Sequence, residues 1–186
     1  VLLFGAHFGS FEAMRAVADA GCPVHLSVLM HEANAARVKA FFDALGGERH
    51  AAAIIPLGTP HAMLRVRECL EAGELVGLLA DRAPRGDRMV RVPFLGAEAP
   101  LPAGPHLLAS LLGAPVMTAF GIWRGPRHYE VRFEPFDEAL GAVGRAGREA
   151  AVADSVTRYA AQLEALCREY PYNWFNFFDF WQDEGE

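Results

Sequence analysis

Short apolar runs alternate along the chain with stretches in which apolar residues recur every three or four positions. Val1 to Phe4 is a continuous apolar run of strand length. Phe11, Met14, Val17 and Ala18 follow at helical spacing, with Gly21 as a stop. Val24–Met30 reads as a second strand, and Ala33–Leu45 as a helix ending at Gly46-Gly47, a C-cap pair. Ala53–Leu57 is a third strand, and Ala62–Ala72 a helix stopped by Gly73. Leu75–Ala80 is uninterrupted by polar residues, as in strands buried on both faces.

An arginine-rich loop is expected from Arg82 to Arg91. Leu107–Leu112 then reads as a helix, Val116–Ile122 and Tyr129–Phe133 as strands, and Gly141 to Gly147 as a mobile loop. Val152, Val156, Tyr159, Leu163 and Leu166 form one face of a long final helix, which Pro171 ends. Repeated strand–helix units with short connections predict an α/β fold with a mixed, largely parallel sheet flanked by helices. No repeat or linker divides the chain, so residues 1–186 read as a single domain. Its first residues read as a buried strand without an initiator methionine or signal peptide, which implies an upstream segment. The uncharged run from Leu107 to Trp123 nears bilayer-spanning length, but Gly113-Ala114-Pro115 breaks it into helix, turn and strand.

Composition narrows the function. With 186 residues, 52% of them hydrophobic, the chain can build one real core. A net charge of −6 argues against a nucleic-acid partner. Lys39 is the only lysine, and the preference for arginine fits either a GC-rich genome or a use in bidentate binding of phosphate. Cys22, Cys69 and Cys167 show no zinc spacing and fit a reducing compartment. His25, His31, His50, His61, His106 and His128 have no metal-binding pattern and read as structural or surface residues. No metal or bound cofactor is expected.

The residues left to carry chemistry begin with His7-Phe8-Gly9-Ser10-Phe11-Glu12. In a continuous helix, five residues leave two side chains about 140° apart. Here the histidine follows a strand, Gly9 can make a tight turn, and Glu12 falls in the first helical turn. That places both near the carboxyl end of a strand, where open α/β sheets bind ligands. A carboxylate beside an imidazole fixes its tautomer, leaving the other nitrogen to take a hydroxyl proton. The plainer alternative is a surface histidine and a glutamate favoured by the helix dipole. Asp81-Arg82 directly follows the apolar strand Leu75–Ala80, which points Arg82 into a site. Arg85, Arg88 and Arg91 read as a solvated basic loop, or as a surface for an acidic carrier or anionic lipid. Gly96 and Gly104 permit turns, or close backbone approach to an oxyanion.

Four blocks in order now resemble the lysophospholipid acyltransferase superfamily, and most closely its lipid A lauroyl/myristoyl acyltransferase branch. They are Gly5-Ala6-His7-Phe8-Gly9-Ser10-Phe11-Glu12, Gly77-Leu78-Leu79-Ala80-Asp81-Arg82, Val92-Pro93-Phe94-Leu95-Gly96 with Pro102-Ala103-Gly104-Pro105, and Tyr170-Pro171-Tyr172-Asn173-Trp174-Phe175. The resemblance implies acyl transfer from a thioester, on acyl carrier protein or coenzyme A, to a hydroxyl or amine of a lipid acceptor. It implies His7 as general base, Glu12 as its support, Arg82 on the acceptor headgroup and Asp81 holding that loop. Phe94 would line an acyl groove, and Gly96 and Gly104 would lie near the thioester carbonyl. It also implies work at a membrane surface, on the cytoplasmic face of the bacterial inner membrane. The segment Asn176-Phe177-Phe178-Asp179-Phe180-Trp181 departs from the arginine-rich ending of that branch, which leaves the acceptor open. The rings from Tyr170 to Trp181 are expected to pack on the core in preference to touching lipid. A hydrolase using the same dyad, and an inactive lipid-binding homologue, are the alternatives.

Overall fold

The structure, a computed structural model, describes residues 1–21, 25–31, 53–59, 61–83, 86–138 and 140–182. The helix expected over Ala33–Leu45 lies outside the described residues. The first apolar run forms β1 (Leu2–Gly5), and all four of its residues are buried. It can be apolar on both faces because it lies inside the sheet, between β4 (Leu75–Leu79) and β7 (Val116–Gly125). Beyond β4 lie β2 (Leu26–His31) and β3 (Ala53–Leu57), and beyond β7 lies β8 (His128–Asp137). The order β3-β2-β4-β1-β7-β8 is parallel except for β8, which returns antiparallel to β7. The sheet is therefore mixed and largely parallel, as the alternating pattern predicts.

Four helices are described: α1 (Phe11–Gly21), α2 (Ala62–Glu71), α3 (Gly104–Leu112) and α4 (Arg148–Glu169). The five residues expected on the inner face of α4 are all buried. The stretch from Gly141 to Gly147, expected as a mobile loop, is joined to a 3-10 turn at Leu140–Ala142. A Cβ on Gly141 would lie 2.3 Å from the Gly113 Cα, so this turn sits backbone to backbone on the end of α3.

One element was not expected. β5 (Met89–Phe94) and β6 (Ala97–Pro102) form an antiparallel ribbon outside the main sheet, so the arginine-rich loop ends before Met89. Pro93, Pro100 and Pro102 obscure these strands in the sequence, yet a two-stranded ribbon has two free edges where proline does no harm. Leu95 and Gly96 take φ of +52° and +94°, as a two-residue hairpin turn requires. Glu164 of α4 fixes this turn by accepting the Leu95 N–H at 2.9 Å, the main reason its carboxyl is held below the usual range.

Candidate active site

The register of β1 against β4 builds the site. Leu2 pairs with Val76, and the match runs through Gly5 and Leu79. Ala80 then donates its N–H to the Gly5 carbonyl at 2.9 Å. One residue further, the two chains present His7 and Asp81 side by side. The Nδ1 of His7 lies 3.0 and 3.1 Å from the two carboxylate oxygens of Asp81, and the His7 backbone N–H donates to the same carboxylate at 3.2 Å. Asp81 is fully buried, while the His7 side chain keeps 34% of its exposure. With Nδ1 on the carboxylate, Nε2 is the ring nitrogen left for proton exchange.

Arg82 closes a circuit around this couple. Its Nε donates to Asp81 at 3.2 Å and its Nη2 to the Phe175 carbonyl at 2.8 Å, with the guanidinium 5.0 Å over the Phe178 ring. Phe175 in turn donates its N–H to the His7 carbonyl at 2.8 Å. The segment after α4 is thus bonded to both strand ends that carry the couple. Asn173 anchors it: its carbonyl accepts from Gly9 N–H at 2.7 Å, and its buried side chain accepts from Trp123 N–H and donates to Trp123 carbonyl.

The turn between His7 and α1 rests on two glycines. Gly9 has φ +72°, and a Cβ there would lie 2.1 Å from the Gly121 carbonyl oxygen. A Cβ on Gly121 would lie 2.2 Å from the Ser10 carbonyl oxygen. Between these close approaches the Ser10 hydroxyl caps α1 by accepting the Ala13 N–H at 3.1 Å. Glu12 occupies the first turn of α1 and is exposed. The carboxylate that the structure brings to Nδ1 is Asp81's, a residue expected only to hold its loop.

The remaining expected residues fall in different places. Phe94 does not line an open groove: alternation along β5 turns it inward, and its fully buried ring packs on Trp174 and Phe180. Gly96 serves the hairpin turn. Gly104 opens α3 and is exposed, at a helix start with no side-chain cap. Arg85 lies outside the described residues. Arg88 is exposed and paired with Glu149, and Arg91 is exposed on β5. The aromatic tail divides: Phe180 is buried and Trp174 and Trp181 pack against the core, while Phe175 and Phe178 are half exposed and Tyr172 and Phe177 are 86% and 90% exposed. An open cleft of about 320 Å³ adjoins the His7 turn, lined by Gly9, Ser10, Trp123, Tyr129, Tyr172, Asn173 and Phe175.

Burial pushes the Cys167 thiol up to about 12, with the Asp81 charge adding to it, so this cysteine is a poor nucleophile at neutral pH. Tyr159 is raised by burial and by Asp81, and its hydroxyl donates to the Gly5 carbonyl at 2.7 Å. Among the described residues, no three of His, Cys, Asp and Glu converge as metal ligands, and no helix is long and apolar enough to cross a membrane.

Sequence reasoning missed one anchoring residue and the role of another. Asn173 gave no signal in a polar position amid aromatics. Asp81 did give one: Leu2-Leu3-Phe4-Gly5-Ala6-His7 and Val76-Gly77-Leu78-Leu79-Ala80-Asp81 are matching apolar strands, each ending in alanine and then a titratable group. A family model described as bacterial lipid A biosynthesis acyltransferase matches residues 1–182. No curated protein matches the chain.

Proposed function

The chain belongs to the bacterial lipid A biosynthesis acyltransferase family, and from that premise we propose that it moves a fatty acyl group from a thioester, on acyl carrier protein or coenzyme A, to a hydroxyl or amine of a lipid or glycolipid acceptor. The observation that carries this reading is the His7 ring, partly exposed at a strand end with Nδ1 on a carboxylate. Nε2 takes the acceptor proton as the acceptor atom attacks the thioester carbonyl. Collapse of the tetrahedral intermediate expels the thiolate, which recovers that proton from the imidazolium, and the thiol leaves. Glu12, at the start of α1, supports the positive charge that His7 carries in between. The Arg82 N–H groups not used on Asp81 and Phe175 take the phosphate or polar headgroup of the acceptor. The exposed rings Tyr172, Phe175, Phe177 and Phe178 support action at a membrane surface, which we place at the cytoplasmic face of the inner membrane.

His7→Ala in the full-length enzyme, assayed with a labelled acyl donor and an acceptor lipid, is expected to lose at least 100-fold in turnover, roughly the contribution of general base catalysis. Normal turnover would remove His7 from the mechanism. Glu12→Gln is expected to lower turnover more than donor affinity. Free fatty acid as the sole product in the presence of acceptor would indicate hydrolysis instead.

A further inference from the structure

We propose that Asp81, not Glu12, is the residue that positions His7 and sets its tautomer, with Arg82 and the Phe175 backbone as the strut that holds Asp81 in place. The proposal rests on acyl transfer by His7. It departs from the expectation that the carboxylate five residues along the chain orients the ring.

An imidazole that accepts a proton at one nitrogen must carry its hydrogen on the other. The Asp81 carboxylate offers both oxygens to Nδ1 at 3.0 and 3.1 Å, and an ionised carboxylate can only accept. Nδ1 therefore bears the hydrogen, and the Nε2 lone pair faces the acceptor. The same carboxylate takes the His7 backbone N–H, so ring and main chain are fixed by one group. Asp81 is fully buried, where its bonds are not shared with solvent, whereas Glu12 is exposed. Asp81 is itself restrained: Arg82 donates to it through Nε and, through Nη2, to the Phe175 carbonyl, while the Phe175 N–H donates to the His7 carbonyl. Four residues from three separate parts of the chain thereby form a closed ring of hydrogen bonds, and the carboxylate cannot turn away without breaking two of them. Asp81 therefore orients the base.

Two measurements test this. The first uses the wild-type protein uniformly labelled with 15N-histidine, with the His7 signals identified by their loss in His7→Ala. At a pH where the ring is neutral, the Nδ1–H tautomer is expected; a predominant Nε2–H tautomer would overturn the proposal. The second is Asp81→Asn, whose amide can donate to Nδ1 and so hold the opposite tautomer. It is expected to lower kcat by roughly 100-fold to 10,000-fold, as in serine-protease triads whose aspartate is so replaced, with KM changed by less than about threefold. A folded Asp81→Asn enzyme with wild-type kcat and the Nδ1–H tautomer would sink it. If that variant does not fold, the wild-type spectrum decides alone. Loss of activity in His7→Ala together with full activity in Asp81→Asn would reject this role and leave the acyl-transfer reading standing.

Discussion

His106 of α3 lies fully buried with its ring edge-on to Phe4 and Tyr159, and its Nδ1 is 2.9 Å from the Ser155 hydroxyl. Its Nε2 has no partner among the described residues. A neutral ring with hydrogen on Nδ1 leaves only a lone pair unmet, whereas a protonated ring would strand a buried N–H. Burial accordingly lowers this imidazole from the usual 6.5 to about 4, with nearby Asp137 opposing and Arg158 adding to the shift. Because the folded value is the lower one, the contribution to stability is complete above pH 6.5 and is lost as pH falls toward 4. The loss approaches about 3 kcal/mol, more than half of it by pH 5. Urea midpoints at pH 7.5 and pH 5 should therefore differ more in the wild type than in His106→Phe. An equal drop in both proteins would refute the assignment.

Among the elements, the join between α1 and β7 has the least room. Gly121 admits the Ser10 carbonyl where a side chain would stand, and Gly9 admits the Gly121 carbonyl in return. Gly121→Ala is expected to destabilise the protein by about 3 kcal/mol, the upper range for overpacking, while Gly144→Ala, where a Cβ meets nothing within 4 Å, should have little effect. Urea denaturation of both variants checks this, and similar midpoints would show that the chain relaxes around Gly121. The strands β1, β3, β4 and β7 and the helices α1 and α4 were legible because each shows its own period in the sequence. The β5–β6 ribbon was not, because three prolines interrupt its alternation and Val92, Phe94 and Pro102 read as motif residues. The His7–Asp81 couple was illegible for another reason. It comes from the register of two parallel strands, and register is a property of the pair that neither segment shows alone.

At the scale of the whole molecule, an acidic chain presents an aromatic rim beside its candidate catalytic turn. Tyr172 and Phe177 leave nearly their whole side chains in solvent, so replacing them removes few contacts within the protein. The double variant Tyr172→Ser, Phe177→Ser is expected to keep its thermal midpoint. It should bind vesicles of phosphatidylethanolamine and phosphatidylglycerol at least about tenfold less, since burying one such ring contributes roughly 1.5–3 kcal/mol. Sedimentation with vesicles measures it, and unchanged binding would assign the rim another purpose.

The alignment of β1 with β4 has one more consequence. The two groups at the heart of the site are delivered by neighbouring strand tips, so their meeting depends on how those tips line up and not on the length of chain between them. Changes of length after α1 and before β4 that leave β2, α2 and the pairing of β2 with β4 intact displace neither group. Sliding β4 by a single residue would part them while leaving every motif intact.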